Sequence, residues 1–241
     1  MEALSVKNIC KSFKTEEGTM EALKGVSIDF AENSTTIIAG ANGSGKSVLM
    51  HIIARLDEAD SGEIAGNESV GLVFQDADTQ ILGETAREDI AFGVENLFPK
   101  DRAEIKRRVN CALEQTGLLE KADYPARFLS GGQKRRLAVA GILAMERKII
   151  IFDEPYANLD YTGVKQVNAL ICMLQRQRKT VIILTHELEK CLALSSHFVV
   201  LYKGEKVFDG LAKDALNEPL ESWGIRNPLV KYEKVEDLVW A

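Results

Sequence analysis

The feature that most constrains this chain is a glycine-rich loop between a strand pattern and a helical pattern. Residues 35–39 are β-branched and apolar, and residues 48–54 carry apolar side chains at helical spacing. Between them lies a segment that fits G-x-x-x-x-G-K-[ST], namely Gly40-Ala41-Asn42-Gly43-Ser44-Gly45-Lys46-Ser47. A strand, such a loop and a helix in this order predict backbone N–H groups that bind phosphate at a helix N-terminus.

The chemistry of a phosphate-binding loop assigns tasks to particular residues. We expect Lys46 to reach the β- and γ-phosphates of a nucleoside triphosphate, and Ser47 to hold Mg²⁺ through its hydroxyl. The whole segment from Gly40 to Val48 is predicted to bind the nucleotide, mainly through its backbone.

A pair of acids ends another apolar run, residues 149–152. A carboxylate at the end of a buried strand is costly unless it serves a cation, so Asp153 is predicted to hold Mg²⁺ through water. Glu154 would lie near the γ-phosphate and polarise the attacking water.

Two further polar residues follow predicted strands. Gln75 ends the strand 70–74, and its amide is predicted to contact both Mg²⁺ and the attacking water. His186 follows the strand 181–184 and Thr185, and it is predicted to donate a hydrogen bond to the γ-phosphate.

A second glycine-containing segment, Leu129-Ser130-Gly131-Gly132-Gln133, precedes a helix predicted over 134–145. Its position at a helix N-terminus makes it a second candidate for anion binding. One chain needs only one phosphate cradle, so this segment requires another explanation.

Composition excludes several functions. The net charge of -6 argues against a binder of duplex nucleic acid, so no nucleic-acid partner is expected. The basic runs 106–108 and 134–136 are predicted to be solvated helix faces.

The cysteines lack C-x-x-C spacing, which favours reduced thiols over a metal site or disulfides. We find no stretch of about 18 apolar residues and no signal peptide, so membrane association is expected to require a partner.

Strand patterns alternate with helical patterns, which predicts an α/β fold with a mainly parallel sheet. Short strand patterns in 4–38 precede the phosphate loop, and residues 84–147 read as a helical insertion. Asp101 and Glu104 predict a helix start, and Gly117 suits its end. We predict an ATP-binding domain over 1–214, containing the 84–147 helical subdomain, and a C-terminal extension over 215–241.

The chain resembles the ATP-binding subunits of ABC transporters over roughly residues 4–212. The motifs that carry the resemblance are, in order, the phosphate loop, Gln75, Leu129-Ser130-Gly131-Gly132-Gln133, Asp153-Glu154-Pro155, Leu159-Asp160 and His186. The resemblance implies a P-loop NTPase fold with an N-terminal antiparallel β-subdomain and an inserted helical subdomain.

The same resemblance implies ATP and Mg²⁺ as ligands and a head-to-tail dimer that sandwiches two ATP molecules. Residues Ser130, Gly131, Gly132 and Gln133 would close on the γ-phosphate bound by the other subunit. Asp160 would lie at the dimer seam, and Phe13 matches the aromatic position that stacks on adenine.

A narrower resemblance lies in residues 74–81, 88–97 and 223–228, which look like the ATPases of energy-coupling factor transporters. It implies a subunit that energises import of a vitamin or a transition-metal ion from the cytoplasmic face of the cell membrane. The implied partners are a second ATPase subunit, identical or different, an integral membrane transporter subunit and a substrate-binding membrane protein. The alternative is a soluble ABC ATPase without a transporter, such as the iron–sulfur assembly type.

The chain departs from the family pattern at several positions, none of which removes a catalytic group. Ala41 stands where proline is common and Val48 where threonine is common. Tyr156 and Asn158 replace the usual threonine and glycine, and the interval 62–70 is shorter than usual, with most of a peripheral strand and helix expected to be missing.

Overall fold

The computed structural model describes residues 2–16, 18–66, 70–231 and 233–234. Its strands are β1 (Glu2–Thr15), β2 (Gly18–Ala31), β3 (Thr35–Ala39), β4 (Ser61–Ala65), β5 (Val70–Val73), β6 (Ile149–Asp153), β7 (Thr180–Thr185), β8 (His197–Tyr202) and β9 (Glu205–Gly210). Its helices are α1 (Lys46–Ile53), α2 (Ala86–Leu97), α3 (Arg102–Gln115), α4 (Gly131–Ala144), α5 (Tyr161–Arg176) and α6 (Ala212–Ala215). The last part of the predicted extension, 235–241, lies outside the described residues.

The central sheet has the order β5-β6-β7-β3-β8-β9. All its neighbouring pairs are parallel except β8 and β9, which are antiparallel. The prediction of an α/β fold with a mainly parallel sheet is therefore confirmed. Strand β9 was not predicted, because its polar sequence at the sheet edge lacks the apolar run of a buried strand.

A second, antiparallel sheet of order β2-β1-β4 is formed by the N-terminal part of the chain. Strands β1 and β2 make a hairpin that closes where Thr15 pairs with Gly18. In the shortened interval 62–70, the described part is a short strand, since β4 pairs with β1 from Ser61 to Ala65.

Alternate residues of the buried central strands enter two different hydrophobic cores. Ile150 and Phe152 belong to the core shared with α2, α3, α4 and α5, whereas Ile149 and Ile151 belong to the core shared with α1 and the antiparallel sheet. This period of two explains why these strands are continuously apolar: both faces of the sheet are covered.

The helical block begins and ends its helices largely as predicted. Asp101 caps α3 by accepting from the Glu104 N–H at 2.9 Å, while the Glu104 carboxylate binds Arg107 and Arg108 instead of closing a capping box. Gly117, at φ 66°, ends α3. Helix α4 begins at Gly131, three residues before its predicted start, because Ser130 and Gln133 form a capping box.

The cysteines are free: Cys111 is exposed and Cys191 is buried. Of the helices in the described ranges, none is both long and apolar enough to span a bilayer.

Candidate nucleotide-binding site

The predicted site residues gather where four parallel strands end. The phosphate loop follows β3, Gln75 follows β5, Asp153 and Glu154 end and follow β6, and His186 follows β7. Since β5, β6, β7 and β3 are consecutive in the sheet, their carboxyl ends form one edge. Ligands of open α/β sheets bind outside this edge.

The phosphate loop is held in place by the Lys46 side chain and by strand β2. Lys46 turns back over the loop, and its Nζ donates to Gly40 O at 2.6 Å and Ala41 O at 3.2 Å. Gly45 adopts φ 101°, and a Cβ there would lie 2.6 Å from Ala22 O. A side chain at this position would therefore be excluded both by the left-handed backbone and by β2.

The loop forms the floor of an open cleft of about 480 Å³. Among the described residues, those lining it are Met20, Glu21, Ala22, Lys24, Asn42, Gly43, Ser44, Gly45, Lys46, Ser47, Val48, Gln75, Glu154 and Lys203. Phe13 is not part of this lining, but it pairs with Met20 across the β1–β2 hairpin, so the two side chains share a face of the sheet.

A charged cluster lies beside the loop. Glu154 Oε1 is 3.0 Å from His186 Nδ1 and 3.7 Å from Lys46 Nζ. Glu154 is only 8% exposed, although it carries a carboxylate, and its N–H donates to Leu184 O at 2.9 Å. Lys46 is also buried, which lowers the pKa of its ammonium, while Glu154 and Asp153 oppose that shift.

Buried polar atoms without partners surround this cluster. Within the described part of the chain, Asp153 Oδ1, Glu154 Oε2 and Ser44 Oγ have no hydrogen-bond partner. Burial, and then repulsion from Glu154, raises the pKa of the Asp153 carboxyl. Orphaned buried oxygens are costly, so their concentration at the cleft fits a site built for a cation and a phosphate.

The backbone carbonyl of Gln75 accepts a hydrogen bond from a buried arginine of the basic run 134–136. The 134–136 run was predicted to be solvated, and that prediction is wrong. Arg135 is 4% exposed and its Nη2 donates to Gln75 O at 2.9 Å, while Lys134 pairs with Asp78. Burial lowers the pKa of the Arg135 guanidinium. Its position on the inner side of α4, next to the apolar Leu137 to Ala140, was the signal available in the sequence.

The second glycine segment lies at the N-terminus of α4, as predicted. Ser130 and Gly131 are exposed, and a Cβ on Gly131 would meet no atom within 4 Å. None of residues 129–133 is among the described residues that line the phosphate cleft. This open helix N-terminus is therefore separate from the cleft of its own chain.

Two departures from the family pattern, Tyr156 and Asn158, lie in the turn after Glu154. Asn158 adopts φ 58°, a conformation that asparagine tolerates better than most residues, so it can replace glycine. Tyr156 is fully buried. Asp160 lies exposed at the start of α5, where its carboxylate accepts from the Gly163 N–H at 2.7 Å.

A contact that sequence analysis missed joins the C-terminal segment to the phosphate loop. A Cβ on Gly224 would lie 3.0 Å from Ala41 Cβ. Ile225, next in the chain, is buried in the core that includes Ile37 and Ala39 of β3. No local pattern could have indicated this contact between distant segments.

The fold and the site together define an ATP-binding cassette. The ABC transporter family profile matches residues 23–157. The energy-coupling factor transporter ATP-binding protein EcfA of Carboxydothermus hydrogenoformans is 38% identical over 95% of this chain and 88% of its own length. The corresponding EcfA1 of Mycoplasma mobile is 39% identical over 86% of this chain and 79% of its own length.

Solved structures agree with these relatives. The cbiO1 protein of Clostridium perfringens, part of the ABC transporter complex cbiONQ, superposes with a TM-score of 0.80 at 32% identity, covering 90% of this chain and 91% of that one. A dimeric ATP-binding cassette in a post-hydrolysis state with ADP and Pi gives a TM-score of 0.73 at 29% identity, covering 87% and 98%. The chain belongs to the ABC transporter family, as an ATP-binding and ATP-hydrolysing cassette.

Proposed function

We propose that this cassette energises an importer of the energy-coupling factor type for a vitamin or a transition-metal ion. The observation that carries the ATP-hydrolysing role in this proposal is the cluster of Lys46, Glu154 and His186 beside the phosphate loop. The relatives named above are themselves energy-coupling factor ATP-binding proteins, which supports this subgroup over a soluble ATPase.

The residues of the cleft are suited to ATP hydrolysis. In our proposal the N–H groups of the loop and Lys46 bind the phosphates, and Glu154 accepts a proton from the attacking water. Its buried Oε2 has no hydrogen-bond partner among the described residues, which supports a role in accepting that proton. His186 Nδ1 lies 3.0 Å from Glu154 Oε1 and orients that carboxylate, and in the imidazolium form its Nε2 would donate to the γ-phosphate.

Mg²⁺ would be held by Ser47, by Gln75 and, through water, by Asp153. Bound there, the ion would supply positive charge that offsets the negative charge of the phosphates as the bond to the γ-phosphate breaks. The unpartnered Asp153 Oδ1 supports this assignment, because ionisation of the buried carboxyl is favoured by an adjacent cation.

We propose a head-to-tail dimer of two cassettes, identical or different. Because Ser130 and Gly131 are exposed and separate from their own cleft, they can meet the γ-phosphate held by a partner. Asp160 would lie at the seam between the subunits, and Phe13, beside Met20, would stack on the adenine.

The membrane partner would dock next to Gln75. A groove of about 370 Å³ separates Asp78 and Ile81 from Ala126 and Arg127. Leu82, next to Ile81 in the chain, is exposed and adds an apolar side chain to the surface beside this groove. In this arrangement the cassette works at the cytoplasmic face of the membrane, domain 1–214 binds ATP, and 215–241 is an extension.

The experiment is a pull-down from detergent-solubilised native membranes with the Glu154→Gln form held in ATP. We expect recovery of an integral membrane protein together with a small substrate-binding membrane protein, which would also identify the cargo. Lys46→Ala is the control, since it should not hold the ATP-closed state. Recovery of soluble assembly factors alone would overturn the transporter role and favour the iron–sulfur assembly alternative.

A further inference from the structure

Tyr156 has an unusual position for a large side chain. It is fully buried, although it lies in the tight turn that leads from Glu154 to Asp160. The turn is closed by the Ala157 N–H, which donates to Glu154 O at 3.2 Å, and Glu154 itself has φ 41°. A non-glycine residue at such an angle is strained and needs support from its surroundings.

The Tyr156 hydroxyl connects this turn to α5. It donates to Asn168 Oδ1 at 2.8 Å, and burial raises the pKa of the phenol, so the hydroxyl keeps its proton. Asn168 Nδ2 in turn donates to Lys190 O at 2.8 Å. Lys190 ends the short turn Leu188–Lys190 that follows His186.

These contacts form a closed ring with the catalytic cluster. Starting from Glu154, the ring passes through Tyr156, Asn168 and Lys190 and returns along the chain to His186, whose Nδ1 is 3.0 Å from Glu154 Oε1. Both turns that carry the cluster are thus tied to the same residue of α5. A shift of either turn relative to the other would break a buried hydrogen bond, which is costly.

We propose that Tyr156 and Asn168 are positioning residues, which hold Glu154 and His186 at the separation that hydrolysis requires. This inference rests on the catalytic roles proposed above for Glu154 and His186. Neither Tyr156 nor Asn168 belongs to the lining of the phosphate cleft as the described residues define it, so both act through the cluster and not on the nucleotide.

The test is Tyr156→Phe in the full chain, which removes one hydroxyl and keeps the ring in the core. We expect kcat for ATP to fall on the order of tenfold, because small displacements of reacting groups are costly, while KM changes less than about twofold. Asn168→Ala should have a similar effect. The double variant should lose little more than either single variant, since the two residues act as one unit.

Thr116→Val is the matched control. Thr116 is also buried, and its Oγ1 donates to Ala112 O at 2.8 Å at the end of α3, away from the cluster. It should lower the unfolding midpoint about as much as Tyr156→Phe without changing kcat. The chain has 3 histidines. The NMR signal of the His186 ring should shift in Tyr156→Phe and stay in place in the control.

Glu154→Gln separates failure of this proposal from failure of the catalytic assignment. Turnover should fall at least about 100-fold in that variant if Glu154 is the general base. If it does fall, but Tyr156→Phe retains wild-type kcat and an unshifted His186 signal, the positioning role is overturned. If Glu154→Gln retains turnover, the catalytic assignment itself is wrong.

Discussion

At the scale of single residues, the candidate site is defined by buried ionisable groups. Asp153 and Glu154 are adjacent acids at the end of β6, and Glu154 Oε1 lies 3.7 Å from Lys46 Nζ and 3.0 Å from His186 Nδ1. Such groups destabilise the free protein and are neutralised when the proper ions bind. The buried acids therefore lower the stability of the nucleotide-free chain and favour binding of a cation.

Asp153→Asn tests whether the buried acid lowers the stability of the nucleotide-free chain. The raised pKa of Asp153 favours its protonated form, so its contribution to stability is full below the ordinary value of 3.8 and is lost as pH rises through the raised value. At neutral pH we expect the asparagine to raise the unfolding midpoint of the nucleotide-free chain, by roughly 2–4 °C for each kcal/mol relieved, while Mg²⁺-dependent turnover is lost. Thermal melts at neutral and acidic pH measure the difference, which should shrink in acid.

Asp123→Asn serves as the opposite control for the same melts. A hydrogen bond from Arg87 lowers the pKa of the Asp123 carboxyl, so its removal should not stabilise the chain. A midpoint that is unchanged or lower in Asp153→Asn would contradict the account of the buried acid.

At the scale of elements, the phosphate loop depends on segments far from it in sequence. Ser44 O accepts from the Gly204 N–H in the β8–β9 turn at 3.1 Å, and Gly204 O accepts from Lys24 N–H of β2 at 2.9 Å. The segment around Gly224 packs on Ala41, whose carbonyl accepts from Lys46 Nζ. The loop is thus supported by both sheets and by the C-terminal segment.

Gly224→Ala should weaken nucleotide binding several-fold. The new methyl group would press on Ala41, and φ 70° would add about 1–2 kcal/mol of backbone strain. Gly117→Ala is matched for backbone strain, with φ 66°, but lies at the end of α3 next to Arg136. Titration with a fluorescent ATP analogue should show weaker binding for the first variant alone, and equal affinities would show that the contact does not support the loop.

At the scale of the whole molecule, the two helix N-termini that we propose to bind phosphate lie at different places on the chain. Helix α1 carries the phosphate loop, whereas the start of α4 is exposed and capped only by its own Ser130 and Gln133. Helix α5, with Asp160 at its start and Asn168 further along, connects the proposed seam to the catalytic cluster. In the proposed dimer, one helix would therefore contact both the interface and the cluster around Glu154.

Ser130→Arg should abolish ATP turnover and leave nucleotide affinity nearly unchanged. The long side chain would block the start of α4 without contacting the cleft of its own chain. Ser61→Arg, an exposed serine in β4, is the control for an added arginine and should retain turnover. A loss of affinity in Ser130→Arg equal to its loss of turnover would mean that both segments serve one cleft of one chain.

Short stretches of sequence were enough to predict most of the residues that gather at the candidate site. The phosphate loop, the acids after β6, His186 after β7 and the start of α4 are each encoded by a few consecutive residues, because turns, caps and strand ends depend on near neighbours. Strand alternation also indicated the parallel sheet, and the sheet places these residues at one edge.

The tertiary structure decided what supports that chemistry. The burial of Arg135 against Gln75, the Tyr156–Asn168–Lys190 bonds and the contact of Gly224 with Ala41 join segments that are distant in the chain. Strands β4 and β9 likewise form by pairing with β1 and β8 and not through an apolar pattern of their own. Such contacts depend on packing across the whole fold, which periodicity within a short window does not contain.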